Sequence, residues 1–121
     1  MQRIRAGGED TDEQNEQVYN ILREAAKRLN YEVVPFDFWV AGLPDGEQIN
    51  GAICGDKIGI ERTITDPGRR AEVLAHEIAH ALIHTGDLIT ERDPIKEAEA
   101  DYLGGVLIDI IKLALKEAGR R

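Results

Sequence analysis

The chain has 121 residues, with 15 basic against 23 acidic side chains and a formal net charge of −8. That length holds one domain with a single modest core, and that charge disfavours nucleic-acid phosphates and anionic membrane surfaces as partners. Hydrophobic residues at 42% and one cysteine, Cys54, exclude a disulfide framework and a cysteine metal cluster; with no apolar leader and no bilayer-length apolar run, a cytoplasmic location is expected.

Residues 1–10, polar and carrying Gly7-Gly8, read as a flexible tail, and 11–121 as the one folded domain. A helix is predicted from Thr11, whose hydroxyl caps the first turn while Gln14 reaches back. Val18, Ile21, Leu22, Ala25 and Leu29 form its buried stripe, and Asn30 stops it. Tyr31–Val34 and Phe36–Ala41 read as short extended segments, the second the better strand, with Phe36, Phe38 and Trp39 in the core. Residues 42–46 carry turn chemistry. "INGAIC" and "KIGIE" flank Gly55-Asp56, the pattern of a two-residue hairpin, with Ile58 and Ile60 on one strand face. Asp66-Pro67 opens a helix to about His84, and Asp93-Pro94 opens a long one to about Ala118. The expected fold is α+β: an N-terminal helix, a small, mostly antiparallel three-stranded sheet, a central helix and a long C-terminal helix.

The chain's three histidines fall within nine positions of the central helix, in "LAHEIAHALIH". Residues four apart on a helix are separated by about 40° around its axis, so His76 and His80 project from one face and can meet one metal ion. Glu77, about 100° from His76, sits beside that pair, where a general base can take a proton from metal-activated water. Leu74, Ile78, Ala81 and Leu82 form the apolar backing. The alternative is a solvated helix face bearing two ordinary histidines, and a third ligand would decide between them. His84 lies about 12 Å from His76 along a rigid helix, too far to share an ion, and reads as a packing or supporting residue. The metzincin pattern fails, since its glycine and third-histidine positions hold Ile83 and Gly86.

The better source is "KEAEAD", residues 96–101. Glu97 and Asp101 are four apart and face the same way. Glu97 suits a ligand, and Asp101 suits a hydrogen bond to a ligand histidine's far nitrogen. Glu99 points roughly 160° away and is the weaker candidate for third ligand. A plain reading also exists, in which the three acids complement the helix dipole. Tyr102 and Arg92 flank this motif without an assigned role, and Cys54 reads as an incidental small residue.

"LAHEIAHALIH" followed by "EAEAD" resembles the ImmA/IrrE family of small gluzincin-type metallopeptidases, and also the zincin-like domains of ArdC-type antirestriction proteins. The resemblance covers roughly residues 11–109. It implies zinc held by His76, His80 and Glu97, with Glu77 activating water, and a hairpin edge that receives an extended peptide by strand addition. It also implies a protein substrate such as a helical transcriptional repressor; the acidic charge argues for no direct nucleic-acid partner, and the apolar surface of the last helix is compatible with a monomer or a homodimer. A non-catalytic, zinc-bound interaction module is the competing function. Where the family follows the second motif with an aromatic–alanine pair and a run ending Met-Pro, this chain has "YLGGVLIDIIKLALKEAG", and for the Gly104-Gly105 pair within it close helix packing and a local kink are the two explanations. The apolar residues Leu107, Ile108, Ile110, Ile111, Leu113 and Leu115 exceed one narrow stripe; most are expected to pack on the first helix and sheet.

Overall fold

The computed structural model describes residues 11–41, 49–83 and 93–119. The N-terminal tail, the 42–46 turn, His84 and Arg92 lie outside the described residues. The elements run α1 (Asp12–Arg28), β1 (Glu32–Phe36), α2 (Phe38–Ala41), β2 (Gly51–Cys54), β3 (Lys57–Glu61), α3 (Pro67–Ile83) and α4 (Pro94–Ala118). The fold is α+β, as expected. No helix among the described residues is long and apolar enough to cross a membrane.

Helix ends follow the local chemistry of the sequence. Thr11 Oγ1 accepts from Gln14 N at 3.0 Å. The reciprocal half of the capping box is absent: the buried Gln14 Oε1 has no hydrogen-bond partner. At the other end Asn30 adopts φ 70°, and Asn30 N and Tyr31 N donate to Lys27 O and Ala26 O. This is a Schellman stop, with asparagine tolerating the left-handed conformation. Asp66 Oδ2 accepts from Arg69 N to open α3, and Asp93 Oδ1 accepts from Ile95 N to open α4.

The sheet has order β1-β3-β2. In place of the mostly antiparallel sheet expected, it is mixed: β2 and β3 pair antiparallel as the predicted hairpin, and β1 pairs with β3 in parallel. The hairpin turns on Gly55 at φ 60°, with Asp56 at negative φ, the type II′ geometry that suits strand twist. The parallel pairing puts β1 beside the central strand, and 20 residues separate the ends of the two strands that pair, Phe36 and Lys57.

Ile58 and Ile60 turn to the helices and are buried, joining Val18, Leu22, Ala26, Leu74, Ala75 and Ile78 in the core. Three expectations need correction. The α1 stripe is Val18, Tyr19, Leu22 and Ala26, and Ile21 and Leu29 are exposed. Leu82, next to the C-terminal end of α3, is also exposed. The segment Phe36–Ala41 is not a strand: β1 ends at Phe36 and the chain turns into α2. Glu61 explains that turn. Its buried carboxylate accepts from Trp39 N at 2.9 Å, at the first turn of α2, and from Thr63 N and Oγ1. Phe36 and Trp39 are consequently left partly exposed on the outer face, where Phe38 covers Gly59 and its ring lies 4.6 Å from that of Phe36. On α4, Leu107, Ile108, Ile111 and Leu115 pack against the core, and Ile110 and Leu113 stay exposed.

Candidate metal centre

α3 and α4 bring together the three residues on which the metal reading depends. His80 Nε2 lies 3.0 Å from His76 Nε2 and 2.5 Å from Glu97 Oε2. Glu97 Oε2 lies 3.5 Å from His76 Nε2. The two distances at His76 are close to the roughly 3.3 Å ligand–ligand edges of a tetrahedron with metal–ligand bonds of about 2.0–2.1 Å, and His80 and Glu97 stand closer, at a hydrogen-bond separation. Among the described residues, this is the group of histidine and carboxylate side chains whose ligand atoms converge to hold an ion.

The donor set fits a cation chemically as well. His76 Nδ1 lies 2.6 Å from Asp101 Oδ1. An ionised carboxylate only accepts, so Nδ1 carries the proton and the lone pair of His76 sits on Nε2. That lone pair faces a second imidazole nitrogen and a carboxylate oxygen, an arrangement that calls for a shared proton or a metal cation at its centre. His76 and His80 are mostly covered, whereas Glu97 is about one-third exposed. The pair Glu97 and Asp101 therefore occupies the positions the i,i+4 spacing predicts. Glu99 is exposed and is not part of the cluster, and Tyr102, 78% exposed, is not among the residues lining the cleft.

Glu77 is 7% exposed and lines the same cleft as His76 and Glu97. The cleft measures about 310 Å³ and is bounded by Asn50 and Gly51 at the start of β2, by α3 from Arg69 to Glu77, and by α4 from Glu97 to Ile108. Two glycines set its width. A Cβ on Gly104 would lie 3.1 Å from the Ala75 carbonyl carbon and the His76 nitrogen, so α4 approaches the backbone of α3 at the ligand histidine. Close packing, rather than a kink, accounts for Gly104: α4 is continuous through it. A Cβ on Gly51 would lie 2.8 Å from Val73 Cγ1 and 3.2 Å from Glu77 Cγ, so β2 lies directly on the stem of Glu77.

Sequence reading did not single out Gly51 or Glu61. A glycine within a strand is itself a sign of close backbone approach, and that signal was available at Gly51. Nothing local marks Glu61, whose partners Phe38 and Trp39 are more than 20 residues away.

The two sheet edges differ. Glu61 N donates to Asn50 O, so by antiparallel alternation Asn50, Ala52 and Cys54 bond to β3, and Gly51 and Ile53 turn their N–H and C=O outward. On β1, Glu32 N donates to Asp56 O and Arg62 N donates to Phe36 O. Val33 and Pro35 therefore face the other edge, where Pro35 has no N–H to offer. Among the described residues, the β2 edge beside the cleft keeps both N–H and C=O at its outward positions, Gly51 and Ile53.

A comparison with protein families matches residues 46–112 to the IrrE N-terminal-like domain, Peptidase M78. No curated protein and no solved structure matches the chain, and no match ties it to the ArdC-type domains. The matched region is more than half the chain and contains the hairpin, all of α3 and the ligand-bearing part of α4. With His76, His80 and Glu97 converging inside that region, the chain belongs to the IrrE N-terminal-like family of metallopeptidases.

Proposed function

We propose that the protein is a zinc-dependent endopeptidase of the His-Glu-x-x-His type, acting in the cytoplasm on a protein substrate. The observation that carries this reading is the convergence of the His76 and His80 Nε2 atoms with Glu97 Oε2, with Glu77 lining the same cleft. Two imidazoles and one carboxylate form a donor set that zinc favours and that leaves a fourth position open. Zinc bound there would polarise the scissile carbonyl and make water acidic enough to be deprotonated near neutral pH.

The chain's own groups supply the rest. Asp101 holds His76 in the tautomer that presents Nε2. Gly51 and Ile53 offer the outward backbone groups that pair with an extended peptide and lay it across α3. Glu77 accepts a proton from the attacking water and returns it to the departing peptide nitrogen. Its low exposure favours such proton transfer by keeping bulk water from competing. A helical transcriptional repressor is the proposed substrate class, on family resemblance alone.

The test pairs metal-loaded protein with its Glu77→Gln variant and a repressor encoded beside its gene, with fragments read by mass spectrometry. Defined fragments from the first and none from the second, at equal metal content, are expected. Biological activity that survives in Glu77→Gln with metal retained would mean that hydrolysis is irrelevant and that the domain works by protein contact.

A further inference from the structure

A second cavity lies apart from the ligand cleft and shares no lining residue with it. It measures about 330 Å³ and is bounded by α1, β1, the end of β3 and the first turns of α3. Three arginines border it: Arg23, Arg62 and Arg70. Arg62 pairs with Asp37 at 2.9 Å. The other two gather at the buried Tyr19, with the Arg70 guanidinium carbon 4.3 Å from the ring centre and that of Arg23 6.0 Å away. Among the described residues neither has a carboxylate partner. Stacking on a ring engages the face of a guanidinium and leaves its edge donors free. The carboxylate in the lining, Glu61, does not compensate them, because its oxygens accept from Trp39 N and from Thr63. In a chain with 23 acidic against 15 basic side chains, these two guanidiniums form a local excess of positive charge that an anion from outside would complement.

We propose that this cavity binds a small organic phosphate monoester, its phosphate held by Arg23 and Arg70 and its carbon body against the apolar part of the lining. The site does not depend on the peptidase reading. A phosphate monoester carries a charge of about −1.5 to −2 at neutral pH, which matches two guanidiniums where a single carboxylate would leave one in excess. The planar fork of arginine donates two parallel hydrogen bonds to phosphate oxygens. The rest of the lining explains why the anion carries a carbon body. Val33, Val34, Pro35, Ile60 and Ile64 contribute apolar surface beside the arginines, and inorganic phosphate would leave that surface uncovered. The volume falls at the lower end of the roughly 300–1,000 Å³ of small-molecule sites. Arg69 lines the ligand cleft and Arg70 lines this cavity, so the bound phosphate rests on the same helix that carries His76 and His80.

The test titrates adenosine monophosphate and phenyl phosphate into metal-loaded protein by calorimetry, with inorganic phosphate and phenol as controls. At least one ester should bind at a single site, severalfold more tightly than inorganic phosphate, and phenol should not bind. Arg70→Gln should weaken that binding by roughly 10- to 100-fold, the range for losing a hydrogen bond to a charged group. Arg23→Gln should weaken it severalfold; Arg23 is exposed on α1, so this variant keeps its fold even where Arg70→Gln does not. Metal content should be the same in all three proteins. Tighter binding of adenosine monophosphate makes the ligand a nucleotide, and tighter binding of phenyl phosphate makes it a smaller ester; either result supports the site. Affinity unchanged in Arg23→Gln and Arg70→Gln would place the phosphate elsewhere, on the metal for instance, and overturns the assignment. So does inorganic phosphate that binds as tightly as the esters, or the failure of both esters to bind at millimolar concentration.

Discussion

Asp101 Oδ1 lies 2.6 Å from His76 Nδ1, joining two residues 25 positions apart across the α3–α4 interface. Asp101 itself is exposed, its carboxylate pairs with His76, and it is not one of the three converging ligands. Its effect reaches the cluster only through the ring it orients. Asp101→Ala should leave folding nearly unchanged and weaken metal binding by about 10- to 100-fold. Competition with a chromogenic chelator measures that change; unchanged affinity would show that the tautomer of His76 is held by something else.

Metal removal should lower stability, because the three ligand atoms are held within 4.8 Å of one another, where the lone pairs and the carboxylate charge repel. A ligand that binds only the folded chain stabilises it by about 4 kcal/mol at a thousand times its dissociation constant. A chelator should therefore lower the melting temperature of wild-type protein by several degrees, and should have little effect on His80→Ala. Equal shifts in both would place the bound metal elsewhere.

The two α4 glycines should respond oppositely to alanine. At Gly104 the new methyl presses on backbone atoms of Ala75 and His76, and overpacking of this kind destabilises by roughly 1–3 kcal/mol. It should also move Glu97 and Asp101 away from the histidines and so weaken metal binding. At Gly105 the methyl meets nothing, and the gain in helix propensity is up to about 1 kcal/mol. Chemical denaturation of both variants checks the contrast.

Gly51→Ala should couple stability to chemistry. The added carbon falls 2.8 Å from Val73 Cγ1 and 3.2 Å from Glu77 Cγ, so β2 must lift or the Glu77 stem must shift. A loss of about 1–3 kcal/mol is expected, with a drop in kcat larger than any change in metal content. A variant with normal kcat would show that the position of Glu77 does not depend on this strand.

Glu61 makes a prediction in acid. Burial would raise its pKa, but the hydrogen bonds from Thr63 and from the backbone N–H groups of Trp39 and Phe38 outweigh it and hold the carboxyl below its ordinary value of 4.5. A group whose folded pKa is depressed contributes stability that is present above the unfolded pKa and lost as pH falls through the folded one. Stability should therefore decline below about pH 4.5. Glu61→Gln should be less stable at neutral pH and show a shallower acid decline. Identical pH profiles for the two proteins would remove Glu61 as a contributor.

Local chemistry in the chain was enough for the helix ends, the two-residue hairpin, the α+β class and the helix faces that carry His76, His80, Glu97 and Asp101. Each depends on spacing or on a turn preference that acts within a few residues, and helical periodicity carries side-chain direction reliably over that range. The parallel place of β1, the turn into α2, the exposure of Phe36, Trp39 and Leu82, and the roles of Gly51, Gly104 and Glu61 were decided by tertiary structure alone. Those features depend on which surfaces meet: Glu61 reaches Trp39 across 22 positions, and Gly104 is explained only by the backbone of α3 at Ala75 and His76. Periodicity says which way a side chain points along its own element, and it carries no information about how near the next element comes.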